Sequence, residues 1–418
     1  MTICLVMALS TLTPGYARRQ SAAWERLLCQ HYGLSVHVDR ALSLAPLHYR
    51  LEKVQLFHPE TQLLMGTIDC VTFRRDKNKW LVQATEAQLN MRHFADCSRA
   101  AHDWYICRPL SDRQWASVEL DKLTITHQDQ SAELLDIVAE LLPESDKWSM
   151  KASFSVALEA GASKSLTQVT QESAEPVANQ LILVRHHDPE KSATELQLRV
   201  HSSIPLWLVA SSAEAPQMIS QLSGLDPLLL GCGFTGVMDV RYQTGGTSIY
   251  LTEASLTELD FGQIRSAPIP LLSGIGRLKL SHAKLDATGL QYADGSFDLG
   301  PGRMDAQLFQ SAAHYLKWEI PRQNLTHAIA FDRMAARFRV QPDALQLVGT
   351  LGDGTILSDA HGSLARRHDQ SALPVSSLVH ALAASPGSSP LIRKALVWLP
   401  LDDTQRRETA QVLRIRQY

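Results

Sequence analysis

The strongest constraint on how this chain can fold is a spacing of apolar residues that neither a regular helix nor a regular strand satisfies. Apolar side chains fall at positions one, three, six and eight of a stretch, with a polar pair in the middle. The spacing occurs at Tyr49, Leu51, Val54 and Leu56, at Val82, Ala84, Ala87 and Leu89, and at Val118, Leu120, Leu123 and Ile125. It returns at Ile249, Leu251, Ala254 and Leu256, and at Leu278, Leu280, Ala283 and Leu285. The polar pairs are Glu52-Lys53, Thr85-Glu86, Asp121-Lys122, Thr252-Glu253 and Ser281-His282. At about 100° per residue such positions scatter around a helix axis. In a plain strand, positions one and three share a face while six and eight point to the other. One extra residue restores the phase, so a β-bulge lets all four face the same side. The rival is a two-residue hairpin turn at the polar pair. That turn favours Asn-Gly, Asp-Gly or Gly-Gly, and none of the five pairs contains Gly or Asn. The spacing therefore predicts a strand with a built-in kink, and the series predicts a curved sheet with one apolar face.

Composition narrows the classes. With 418 residues, 45% hydrophobic and 20% charged, the chain is long enough and apolar enough to fold, and does not read as disordered. A net charge of −3 gives no basic field for nucleic acid. The six cysteines show no CxxC pair, although Cys97 and Cys107 could bridge in an exported chain.

Residues 1–17 carry no charged side chain, are mostly apolar from Ile3 to Leu12, and are followed by Arg18 and Arg19. The stretch is short for a spanning helix, and Pro14 and Gly15 interrupt it. It reads as a signal or anchor remnant, with Gly15 and Ala17 at cleavage-like positions. The lack of a basic region before it fits a chain whose start lies upstream. Export or membrane anchoring through the N-terminus is the expectation, facing the periplasm, with a buried first helix as the rival.

The remainder is expected to be mainly β with a few peripheral helices, as an elongated, curved antiparallel sheet forming an open groove or a partly closed structure. After residues 1–17 comes a helix over 18–34 leading into the first strand, then an N-terminal β region over 35–130. A mixed β and helical region covers 131–232, a C-terminal β region 233–365, and a helical tail 366–418. Four helices are specified. Trp24, Leu27 and Leu28 share a face within residues 21–32. Ser131 caps one carrying Leu134, Leu135, Ile137, Val138, Leu141 and Leu142, closed by Pro143. Ser203 caps another with Pro205 in its first turn, Leu206 and Val209 on its apolar side and Pro216 splitting it. The fourth runs over 374–384. Residues 93–113 and 161–179 read as polar loops.

No motif carries a reaction. The pair His186-His187 beside Asp188 lacks metal-site spacing. Ser363 in His361-Gly362-Ser363 has one flanking glycine and no nucleophile elbow. Gly352-Asp353-Gly354 is too short to cradle a phosphate and reads as a turn. Asp402-Asp403 reads as a solvated surface, and Asn324-Leu325-Thr326 as a chance glycosylation match. The tail around Arg407, Val412, Leu413, Arg414, Ile415 and Arg416 is basic and amphipathic, fit for a membrane surface or for docking on the β body. No catalytic residue, cofactor, metal, nucleic acid or small-molecule substrate is implied.

Three stretches carry a family resemblance. Residues 24–38 (WERLLCQHYGLSVHV) resemble the helix that leads into the first strand of the AsmA-like proteins, the group that includes TamB-type envelope proteins. Residues 49–61 (YRLEKVQLFHPET) are similar to the following strand and its acidic, proline-bearing turn. Residues 272–285 (LSGIGRLKLSHAKL), with 343–349, resemble the C-terminal strands. The resemblance implies an inner-membrane anchor and a curved periplasmic β-sheet whose groove guides lipid or contacts outer-membrane assembly, with no catalytic residues to carry over. The expected function is thus a non-enzymatic envelope protein binding acyl chains or an envelope partner. The candidate groove residues are Leu51, Val54, Leu251, Ala254, Leu280 and Ala283. The alternative is a structural or protein-interaction β protein whose apolar face is a sealed core.

Overall fold

The computed structural model describes residues 14–32, 35–58, 61–90, 115–127, 130–144, 146–157, 177–186, 193–212, 231–243, 246–263, 272–321, 328–383, 399–401 and 405. The protein is mainly β. It forms two compact units, Met1–Ser202 with Ser211–Glu214, and Ser203–Ala210 with Ala215–Tyr418. The expected loop at 93–113 lies outside the described residues, as does 161–176 of the loop expected over 161–179, whose last residue Asn179 opens a strand; so do Cys97, Cys107, His187, Asp188, Asn324 to Thr326, Asp402-Asp403 and the basic tail.

The first unit opens with helix α1 (Pro14–Tyr32), which starts earlier than the predicted 18–34 because Pro14 suits a first helical turn. Strands β1 (Ser35–Ala45), β2 (His48–Phe57), β3 (Leu64–Asp76), β4 (Lys79–Asn90), β5 (Trp115–His127), β6 (Gln130–Pro143), β7 (Lys147–Ala157), β8 (Asn179–His186) and β9 (Ala193–Pro205) follow. Each pairs with the next. The antiparallel expectation holds at every pair but one: β4 and β5 run parallel, so the sheet is mixed. A parallel neighbour needs a connection that returns the full strand length.

The polar pairs of the five kinked stretches lie inside uninterrupted strands, which excludes the hairpin reading. The kink is not an isolated bulge, however. Val38 and Ala41 of β1 face Val54 and Leu51 of β2 with no register change between them. The same alignment continues through Ile68 and Val71 of β3, Ala87 and Ala84 of β4, Leu123 and Leu120 of β5, and Leu134 and Ile137 of β6. Six neighbouring strands slip phase at one level, so the ladder loses no register. At the level of the slip an unmatched extra residue appears where β6 meets β7, between Leu135 and Val138; the other shifts of these strands lie away from it, between Ser43 and Ala45 of β1 and between Leu56 and Phe57 of β2. The spacing two-three-two reads the same in both directions, which is why the parallel pair β4–β5 and its antiparallel neighbours all align. Lys53 at φ 52° and Asp136 at φ 51° make the slip through the left-handed region. Each costs roughly 1 kcal/mol for a residue with a Cβ, offset by the apolar residues it turns inward.

Strand β6 corrects the helix expected from Leu134 to Leu142. Its inner face carries Ala132, Leu134, Ile137 and Ala139 in the slip spacing, and Leu135, Val138 and Leu142 lie on the other face. The three-residue step plus a second apolar face reproduces a helical pattern. Pairing on both sides, to β5 and β7, takes the backbone hydrogen bonds that a helix would have made.

The second unit contains helix α2 (Leu206–Ser212), within the helix expected after Ser203. Its main sheet runs through β10 (Gly233–Gln243), β11 (Gly246–Asp260), β13 (Ile275–Asp286), β14 (Gly289–Leu299) and β17 (Arg333–Val340). Strands β18 (Leu345–Gly349) and β19 (Thr355–Asp359) both pair with β17, and β20 (Gly362–Arg366) pairs with β19. Short strands β12 (Leu272–Ser273), β15 (Gly302–Met304) and β16 (Ile329–Phe331) form a second sheet. Here the slip is shared by β11 and β13 and ends in register shifts against β10 and β14. Glycines occupy those boundaries. Gly236 sits at φ 122° where β10 shifts, and a Cβ on Gly295 would run into the Lys279 carbonyl oxygen.

Helix α3 (Ala306–Tyr315) lies where only strands were expected. Asp305 caps it, accepting the Gln307 and Leu308 N–H groups at 2.9 and 3.0 Å. Its buried residues Leu308, Phe309 and Ala312 join Ile356, Leu357 and Val379 in the main core. Helix α4 (Ser376–Ala383) matches the expected short helix. Arg367, 1% exposed, donates to the Leu316, Ser371 and Asp369 carbonyls, the last two at 2.8 and 3.1 Å. Burial pushes its guanidinium below the ordinary value, opposed by Asp369.

Two substitutions test this account. Lys53→Gly should leave stability unchanged or raise it slightly, and Lys53→Val should lower it by about 1–2 kcal/mol in urea unfolding. Arg367→Met should cost about 3 kcal/mol, because the buried Leu316 carbonyl and the part-buried Asp369 and Ser371 carbonyls lose their donor.

Candidate functional site

The slip turns one apolar face inward along the whole first unit. Its rows run from β1 to β9. One is Ala41, Leu51, Val71, Ala84, Leu120 and Ile137, and another ends in Ala139, Ala152, Leu181 and Leu198. The opposite face carries the charged and polar pairs, beside the apolar Leu135, Val138 and Leu142 of β6. Arg50 pairs with Glu52 at 2.9 Å, Gln83 donates to Glu119 at 2.8 Å, and Lys79 pairs with Glu140 at 3.4 Å. Lys122 meets Glu133 at 2.6 Å. That hydrogen bond raises the Lys122 ammonium above its ordinary value, opposed by desolvation and helped by the charges of Glu133 and Glu86. Across the slip itself, Lys53 lies 3.9 Å from Asp39.

Helix α1 docks on the β1–β3 part of the apolar face. The Trp24 indole stacks on Phe73 with ring centroids 5.6 Å apart and meets Tyr49 edge-on at 5.3 Å. The Glu25 carboxylate accepts the Val38 N–H at 2.9 Å and sits 2.9 Å from His37 Nδ1, tying the helix to β1. Under this cover Val38, Ala41, Leu51, Val54 and Val71 form a closed cluster. Two of the groove candidates, Leu51 and Val54, are therefore core residues at 1% and 3% exposure.

Beyond β4 the same face changes character. Val118, Leu120 and Leu123 of β5 and Leu134, Ile137 and Ala139 of β6 are all half-buried. Buried Ile125 and Ala132 close one end of this strip, and buried Leu141 the other. Val82, Ala84 and Leu89 of the neighbouring β4 are half-buried on the same face. Leu120 and Leu123 were visible in the kinked spacing, but the candidate list passed over them. Leu134 and Ile137 were assigned to a helix. Reading the two-three-two spacing through residues 132–139 would have found them.

In the second unit the remaining candidates come together as cross-strand pairs, Leu251 with Ala283 and Ala254 with Leu280. Leu251 is half-buried, and Ala254, Leu280 and Ala283 are buried.

Groups capable of chemistry are placed as follows. Cys232 is buried, and its thiol is pushed up to about 11 by burial, then by Glu258 and Asp260, so it stays protonated at neutral pH. His186 lies 3.9 Å from Glu195 at the end of β8. Ser363 accepts a hydrogen bond from Thr355 at 3.1 Å within the β19–β20 hairpin. Gly352-Asp353-Gly354 forms the turn closed by the Leu351 and Thr355 bridge. Among the described residues, no group of three His, Cys, Asp or Glu side chains could hold a metal ion, and no helix is long and apolar enough to cross a membrane.

No protein-family model, curated protein or solved structure matches the chain.

Truncating the cover tests its role. Trp24→Ala should cost about 3 kcal/mol in chemical unfolding and increase binding of an apolar dye, as Leu51 and Val54 lose their lid.

Proposed function

We propose that this protein is a non-catalytic component of the cell envelope, of the AsmA-like kind, that receives an acyl chain on the apolar face of its N-terminal sheet. The observation that carries the reading is the half-buried strip across β5 and β6, continuous with an apolar face on which α1 docks at β1, β2 and β3. Six half-buried aliphatic side chains in adjacent rows give a hydrocarbon tail a surface that water solvates poorly. A tail lying along the rows crosses the strands, about 4.8 Å per strand, over the aliphatic pairs Val118 with Ala139, Leu120 with Ile137 and Leu123 with Leu134. The ion pairs of the opposite face keep the outer surface wet. An inner-membrane anchor at the N-terminus and a periplasmic location belong to the same proposal, as does support of outer-membrane assembly.

A second reading has its own support. Leu51 and Val54 are sealed beneath Trp24, as expected of a structural or protein-interaction protein with a closed core. The two readings divide at β5–β6.

Photo-crosslinking residues placed at Leu120, Leu123 and Ile137 should yield lipid adducts in cells, and the same group at Leu51 should yield none. Absence of lipid adducts at all three strip positions refutes the acyl-chain reading and leaves the sealed-core one. Fractionation decides the location separately: recovery in the soluble cytoplasmic fraction removes the envelope assignment.

A further inference from the structure

The polar face of the main sheet in the second unit carries a row of a different kind. Lys279 of β13 lies opposite Ser296 of β14, and Ser296 lies opposite Arg337 of β17. Directly opposed residues share a face, and neighbouring strands stand about 4.8 Å apart, so two cations flank one hydroxyl across about 10 Å. On either side of this row the charges cancel. Arg333 donates to both Asp298 oxygens, from Nε at 2.9 Å, and Arg339 donates twice to Asp294, from Nε at 2.9 Å. Arg333 holds the Asp298 carboxyl below the usual carboxylate range, with Arg277 and Lys279 adding to the effect against partial burial. The middle row has no acid of its own. Lys279 and Arg337 are exposed, as is Arg277, and among the described residues none of the three makes a side-chain hydrogen bond or ion pair. Ser296 uses its hydroxyl for neither. The backbone beneath is fixed, because Gly295 sits at the register shift between β13 and β14 with no room for a side chain.

We propose that the Lys279, Ser296 and Arg337 row is an oxyanion site that takes a phosphate group. The guanidinium of Arg337 presents a planar donor fork, the Lys279 ammonium a mobile point charge, and the Ser296 hydroxyl a third donor between them. Arg277 adds charge at the rim. The neighbouring Arg333 and Arg339 are locked by their own carboxylates, which directs the anion to the unpaired middle row. This site lies within the second unit and is independent of the acyl-chain reading of the first. The phosphate is that of a soluble phosphorylated compound or of a lipid headgroup, and the two are separable.

The test uses the full chain at low ionic strength, where exposed charges are least screened. Inorganic phosphate is titrated calorimetrically, and cosedimentation is measured with phosphatidylglycerol vesicles and with phosphatidylcholine vesicles. The expected result is binding of phosphate, of phosphatidylglycerol over phosphatidylcholine, or of both. The double variant Lys279→Gln, Arg337→Gln should weaken it at least about tenfold. Ser296→Asp should abolish it by placing a carboxylate between the cations, while Arg50→Gln in the first unit should leave it unchanged. Circular dichroism of each variant checks folding, which exposed substitutions should not disturb. Response to phosphate alone identifies a soluble ligand, and response to phosphatidylglycerol alone identifies a headgroup. No binding of either by the native chain, or full affinity in the folded double variant, overturns the site.

Discussion

A hydrogen-bonded ladder accepts an extra residue in one strand only by leaving it unpaired, and everything in the first unit follows from how that problem is met. Six adjacent strands take the phase slip together, at one level, so each slipped residue faces another slipped residue. The ladder stays in register, and the apolar rows on either side of the slip stay on one face. The mismatch is deferred to the β6–β7 boundary. The second unit meets the same problem at smaller scale, with two slipped strands and a register shift on each side, placed at Gly236 and Gly295. In the second unit glycine takes up the mismatch, whereas at the β6–β7 boundary Asp136 does so. Lys53, Asp136 and Glu253 tolerate left-handed backbone within the slipped strands.

This division of labour separates the faces. One is mainly apolar, and the other collects most of the charges. Helix α1 resolves part of the apolar face by docking Trp24 on Tyr49 and Phe73. In the second unit α3 and α4 serve the core instead, with Arg367 stitching the segments after α3 and β20 through their carbonyls. The buried Cys232 thiol is held protonated.

Much of this was legible in the residues. The five kinked stretches located β2, β4, β5, β11 and β13, and the polar pairs without Gly or Asn separated a kink from a turn. Three further slipped strands were hidden. Ser43 in β1 and Gly66 in β3 occupy apolar positions of the spacing, and β6 carries apolar residues on both faces. Its i, i+3, i+4 pattern is genuine, but it arises from a slip and not from a helical turn. Helix α3 was missed for the opposite reason. It is short, its N-cap Asp305 follows closely on Gly300 and Gly302, and local spacing alone read that punctuation as strand turns. The row at Lys279, Ser296 and Arg337 was beyond reach, because it joins residues that only strand pairing brings together.

The aligned slip also bears on how the sheet finds its correct pairing. In an ordinary sheet, sliding a strand by two residues keeps every side chain on its proper face, so such errors are weakly penalised. Here a two-residue slide would set a slipped pair against plain strand on both neighbours, leaving donors and acceptors unmatched at two places at once. The kink thus acts as a vernier mark: it makes the misthreadings that alternation cannot detect costly, in a sheet whose parallel β4–β5 step has no tight turn to fix its alignment.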